Sequence, residues 1–148
     1  MDDITKGKLE VYCECVAKGC KPVALLEALV PKISSFNKKR IKVGNPAQRD
    51  VKDFLKEAKP IIDEWGLKFY VEYFAGKIKC DGQSYKTRNY DLWIYKNNRE
   101  LSRIKKVIKL SESQDEKKYH RQFGRLLGYS EEAIEEFIKT VNLKGESK

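Results

Sequence analysis

Two clusters of cations have spacings that could do chemistry. Lys38, Lys39, Arg40 and Lys42 crowd into five consecutive residues, within a stretch, 32–45, that holds five basic residues and no acid. Arg99, Arg103 and Lys106 recur four and then three residues apart, while Leu101, Ile104 and Ile108 fall between them. On a helix that interval puts the cations on one face and the aliphatic residues on the other, so one side packs and the other meets solvent. Concentrated cations attract polyanions by releasing condensed counterions, and need no further motif to do so. The chemistry implied is binding of DNA or RNA phosphates, with no preference between the two.

The formal charge of +9 is distributed to match. Residues 67–128 carry fifteen Lys/Arg against seven acids, and the segments 1–31, 46–66 and 129–148 are each slightly negative. Tyr70, Tyr85, Tyr90, Trp93 and Tyr95 lie in the same basic region, and such rings can stack on unpaired bases. Their alternation reads first as core packing, however. A basic surface is also what a heavily solvated fold carries, with 36% of its residues charged.

Three other groups are candidates for chemistry. His120 is the only histidine and so the only side chain that titrates near neutrality unperturbed. Beside Tyr119 and one turn from Phe123, it reads as a packed boundary residue before it reads as a catalyst. An enzyme centred on it needs a deep pocket and a second polar group within reach. Asp91 sits among apolar neighbours in Tyr90–Tyr95, which requires either a wet face or a partner, the wet face being expected. Cys13, Cys15, Cys20 and Cys80 do not match a zinc spacing. They are expected to be reduced, buried and inert, and neither a metal nor a cofactor is expected.

The last two predicted helices, joined at Gly128-Tyr129-Ser130, have helix-turn-helix dimensions. The would-be recognition helix carries Glu131, Glu132, Glu135 and Glu136, which phosphates would repel. An ordinary helical hairpin is expected there. Its acidic face could dock a basic protein partner or a second subunit, or shield the chain's own positive surface.

The elements that position these residues follow from periodicity. Leu9, Tyr12, Cys13 and Val16 mark a helix over Lys6–Lys18; Pro22 opens a second, short helix to Leu29, closed by Pro31. Asn45-Pro46 starts a helix to Gly66 that Pro60 should kink or split near Ala58. The period then becomes two. Leu67–Phe74, Lys77–Cys80 and Tyr90–Tyr95 read as strands, with Asp81-Gly82 as a tight turn, and connections this short require antiparallel pairing. Three helices follow, capped by Asn98, by Ser113 with Glu116 in a capping box, and by Ser130. The last carries Ile134, Phe137, Ile138 and Val141 on one face, and Leu143 to Lys148 is expected to fray.

These elements predict an α+β fold in one domain over 1–148: an antiparallel sheet of about three strands covered by helices from both ends of the chain. No run of about 18 apolar residues occurs, so no membrane span is predicted. The acidic, polar start from Met1 to Thr5 is unlike a signal peptide, so a cytoplasmic location is expected.

The stretch from His120 through Leu127-Gly128-Tyr129 to Phe137 resembles the C-terminal signature of an uncharacterised archaeal family: a histidine, Leu-Gly-Tyr at a helical corner, then an aromatic one helix later. That family often has Pro after the Tyr, where this chain has Ser130. The resemblance implies an archaeal source and brings no function with it.

Overall fold

The computed structural model describes residues 1–27, 46–80 and 82–146. Helix α1 spans Asp3–Ala17, strand β1 Val23–Leu26, helix α2 Pro46–Glu64, strand β2 Lys68–Cys80 and strand β3 Gln83–Tyr95. Helices α3, α4 and α5 cover Asn98–Ser111, Glu116–Leu126 and Glu131–Glu146. The strands form one antiparallel sheet in the order β1-β3-β2 with helices flanking it, an α+β fold as the sequence predicts.

The strands themselves differ from expectation. β2 and β3 make one long ribbon, paired without a break from Lys68↔Tyr95 to Cys80↔Gln83. The segments read as Leu67–Phe74 and Lys77–Cys80 are therefore one strand, because Gly76 keeps its place opposite Thr87 despite its weak strand propensity. The third strand comes from the segment predicted as a helix after Pro22. Val23, Ala24 and Leu26 are all buried there. A strand covered on both faces shows no alternation, and a run of Val-Ala-Leu-Leu then looks as helical as it looks extended. Only Val23–Leu26 is concerned; the rest of that prediction, from residue 28 on, lies outside the described residues.

Alternation along β3 divides the core. Leu92 and Ile94 face Leu9, Cys13 and Val16 of α1 and Ala58 and Ile62 of α2. Trp93 and Tyr95 face Ile104 and Val107 of α3 and Leu126 of α4 on the other side. α2 runs through Pro60 as a single helix. Pro60 is exposed, so the Lys56 carbonyl it leaves without an N–H partner can be hydrated, and no split is needed.

Helix ends depart from prediction by a residue or two. Asn97, not Asn98, caps α3 by accepting from the Glu100 N–H at 3.2 Å. Asp115 caps α4, accepting from the Lys118 N–H at 3.1 Å, while Ser113 donates its hydroxyl to the Leu110 carbonyl and forms no capping box. The carboxylate is the stronger acceptor for the helix N-terminus. α1 starts three residues early because Asp2 caps it through the Thr5 N–H. Ser130 caps α5 as expected, through the Ala133 N–H.

α4 ends at Gly128, whose φ of +84° lets its N–H reach the Arg125 carbonyl and the Tyr129 N–H reach that of Gly124. α5 then folds back against α4 over a second glycine. A Cβ built at Gly124 would lie 2.7 Å from Ile134 Cγ1 and 3.0 Å from its Cδ1, so the two helices approach where only glycine fits. Phe137, predicted as core, is instead 52% exposed, while Ile134 and Ile138 are buried.

Gly124→Ala is therefore expected to destabilise the protein by about 1–3 kcal/mol through overpacking, read as a lower midpoint of thermal unfolding. In an Ile134→Ala background the same change should become neutral or stabilising, because alanine is the better helix former by about 1 kcal/mol. Equal destabilisation in both backgrounds would remove Ile134 as the cause.

Candidate anion-binding cleft

α3 lies on the Trp93–Tyr95 face of the sheet through Ile104 and Val107. Its apolar residues recur at three- and four-residue intervals, so the cations between them must point away from the sheet. α4 packs alongside, with Tyr119, Phe123, Leu126 and Leu127 against the same cluster. Between the two helices is a cleft of about 590 Å³. Arg103, Lys106 and Lys109 of α3 and Lys118 of α4 line it, over a floor formed by Val107, Leu110 and Leu126, with Ser113 and Gln122 completing the wall. Among the described residues, no carboxylate lines it.

Two of the predicted cations, Arg103 and Lys106, thus meet in one cavity. Arg103 is also held by Glu100 at 2.9 Å, one turn back on its own helix. Lys106, Lys109 and Lys118 have no ion-pair partner among the described residues. Arg99 is exposed at the start of α3 but does not line the cleft. Lys38, Lys39, Arg40 and Lys42 lie outside the described residues. Lys109, three residues beyond Lys106, continues the 99–103–106 spacing and could have been found from it, whereas Lys118 lies on another helix. Lys118 joins the cleft only through the packing of α4 on α3, which no local period reports.

Three of the five aromatic residues serve the core, and the side chain of Tyr85 lies outside those described. Tyr90, Trp93 and Tyr95 are buried, and Trp93 packs edge-on against Phe123 with ring centroids 6.0 Å apart. Tyr70 is half-buried, with Lys105 Nζ 5.7 Å from its ring centroid.

Between the sheet and the same two helices is a smaller cavity of about 250 Å³ whose charged lining is acidic among the described residues. Glu27, Glu72 and Asp91 face it together with Trp93, Tyr119 and Phe123. Asp91 is therefore half-buried on the face covered by α3 and α4, not on a wet face. Glu72 stands directly across the ladder from it and accepts the Trp93 indole N–H at 2.9 Å. Burial raises the Tyr119 phenol above its ordinary value, and the charges of Glu72, Asp91 and Glu27 push it further in the same direction.

His120 lines neither cavity. Its ring lies 5.1 Å from that of Phe137 and 5.2 Å from that of Tyr119, the packed boundary position its neighbours imply. Cys13 is buried, and desolvation, with a smaller contribution from Glu10, pushes its thiol up to about 11. Cys20 is exposed and Cys15 intermediate, so the expectation of uniformly buried thiols holds for Cys13 alone among the three. Among the described residues, no three His, Cys, Asp or Glu side chains are grouped to hold a metal, and no helix is long and apolar enough to cross a membrane.

The acidic face of α5 is turned partly inward. Arg125 grips Glu131 with two parallel bonds, Nε to Oε1 at 2.7 Å and Nη2 to Oε2 at 3.1 Å, and Arg121 Nε bonds Glu135 at 2.9 Å. Both glutamates are held below the ordinary carboxyl value of 4.5, first by these hydrogen bonds. Glu136 lies 3.8 Å from Lys139.

No family model, no curated protein and no solved structure matches this chain.

Two outcomes are expected. Glu72→Ala leaves the buried Trp93 N–H without its acceptor and should cost about 1–3 kcal/mol in chemical denaturation, with Glu72→Gln costing clearly less. For the α4–α5 pairs the glutamate values are depressed on folding, so their stabilisation is present above about pH 4.5 and is lost as pH falls through the lower folded values. Replacing both Glu131 and Glu135 by Gln should therefore flatten the fall of the unfolding midpoint as pH drops below about 4.5, and an unchanged slope would contradict the assignment.

Proposed function

We propose that this protein is a non-catalytic nucleic-acid-binding module that holds the phosphate backbone in the α3–α4 cleft. The observation that carries this reading is the convergence of Arg103, Lys106, Lys109 and Lys118 on one concavity lined by no acid among the described residues. Lys106, Lys109 and Lys118 have no ion-pair partner among the described residues, and Arg103 is shared with Glu100. Like charges held around a cleft repel one another unless an anion joins them, and such a cleft focuses its field on that ligand. From Arg99 to Lys109 the cations of α3 extend over about 15 Å of helix axis. That is a track for successive phosphates, longer than one phosphate group needs. The +5 segment at 32–45, with Lys38, Lys39, Arg40 and Lys42, adds to the same long-range attraction.

A protein-docking role for α5 has less support. Glu131 and Glu135 are already engaged by this chain's own arginines, which leaves Glu132 and Glu136 as the acids a basic partner would meet without displacing an arginine of α4. Catalysis centred on His120 has less support, because His120 lines neither of the two cavities described.

The test is fluorescence anisotropy with labelled mixed-sequence oligonucleotides over a range of salt. With about four phosphate contacts, log K should fall with log salt at a slope of roughly −3 to −4. Lys106→Gln alone should reduce that slope by about 0.7–0.9 and weaken binding similarly for all sequences. Replacing all four cleft cations by Gln should remove most of the affinity. Undiminished binding by that variant, or none by the wild type at low salt, would overturn the reading.

A further inference from the structure

Arg121 and Arg125 continue the cation track, yet both are occupied from within the chain. Lys118, Arg121, Gln122 and Arg125 recur at helical spacing along α4, and Lys118 and Gln122 already line the cleft. The next cations on that helix therefore adjoin the proposed phosphate path. Each is held by a carboxylate of α5: Arg125 by Glu131 through a two-bond fork and Arg121 by Glu135 through one. A guanidinium grips a phosphate in the same planar geometry with which it grips a carboxylate. Glu131 and Glu135 thus sit where two phosphate oxygens would sit.

Resting on the reading of the cleft given above, we propose that α5 is an intramolecular competitor: Glu131 and Glu135 occupy two phosphate sites on α4 and so limit the nucleic-acid footprint to the cleft. The Arg125–Glu131 pair is exposed and the Arg121–Glu135 pair partly so. Exposed ion pairs are weak and screened by salt, but tethering on the packed hairpin presents these carboxylates at a high effective concentration. Packing of Ile134 and Ile138 keeps α5 in place independently of its charges. Removing the charges therefore uncovers the arginines without undocking the helix.

The experiment is the same anisotropy titration on a set of charge-matched variants. Glu131→Gln with Glu135→Gln should tighten binding and steepen the salt slope by about 1.4–1.8, the contribution of two added phosphate contacts. Glu132→Gln with Glu136→Gln changes the net charge equally on the same helix and should steepen it much less. Arg121→Gln with Arg125→Gln should alter wild-type binding little, but should abolish the gain in the Glu131/Glu135 variant. Unfolding midpoints check that α5 remains docked.

Equal gains from the two glutamate pairs would reduce the effect to net charge and overturn the proposal. So would a large loss on replacing the arginines in the wild type, since they would then already be in contact with the ligand. Either result leaves the cleft reading standing. Absence of binding by every variant overturns both.

Discussion

Strand β3 is hydrogen-bonded along both edges over its C-terminal half, by β1 from Leu92 to Tyr95 and by β2 throughout. Helices cover both of its faces there, so Leu92, Trp93, Ile94 and Tyr95 are all buried. A strand enclosed on four sides fixes its surroundings. Trp93 and Tyr95 need an apolar cover that α3 and α4 supply, and supplying it commits the apolar faces of both helices. The charged residues of α3 and α4 are then left outward, at the groove where the two helices diverge. The basic cleft is in this sense a consequence of how the Trp93 face is sealed.

The same seal explains where polar atoms are admitted to the interior. Trp93 is too large to be covered without its indole N–H, and a buried donor must be satisfied. Glu72, one strand over and on the same face, accepts it. With Asp91 across the ladder and Glu27 beyond the end of β1, this gathers three acids into the smaller cavity. Like charges opposite one another weaken a ladder, so their placement is not explained by strand pairing. Glu72 has its role as the acceptor for Trp93. For Glu27 the structure offers no comparable reason.

Much of the fold was legible in the sequence because the signals are local. The 3.6-residue period located α1, α2, α3, α4 and α5, Asp81-Gly82 marked the hairpin, and Ser130 marked the start of α5. The errors came where the determining interaction is not local. β1 carries no period because both of its faces are covered, and Phe137 looks like core because Ile134 and Ile138 share its helix. The site was legible only in half. Arg103 and Lys106 declare themselves by spacing, whereas Lys118 enters through the α3–α4 packing, and Gly124, which sets how closely α5 approaches, has no signature apart from being a poor helix former.

Two cavities of opposite charge share α3 as their common wall, and Val107 borders both. The three carboxylates thus border a cavity that sheet residues line, and the cations border one that no described strand residue lines. The two groups attract each other through a partly apolar medium, where screening by salt is weaker than at the surface. None of these three acids lines the cleft, so they lessen the mutual repulsion of its cations from the neighbouring cavity. Glu131 and Glu135 do the reverse on α4, where direct contact ties up the arginines. Net charge therefore says little about which cations can meet a ligand. What decides it is whether the compensating carboxylate lies in the neighbouring cavity or in contact with the cation.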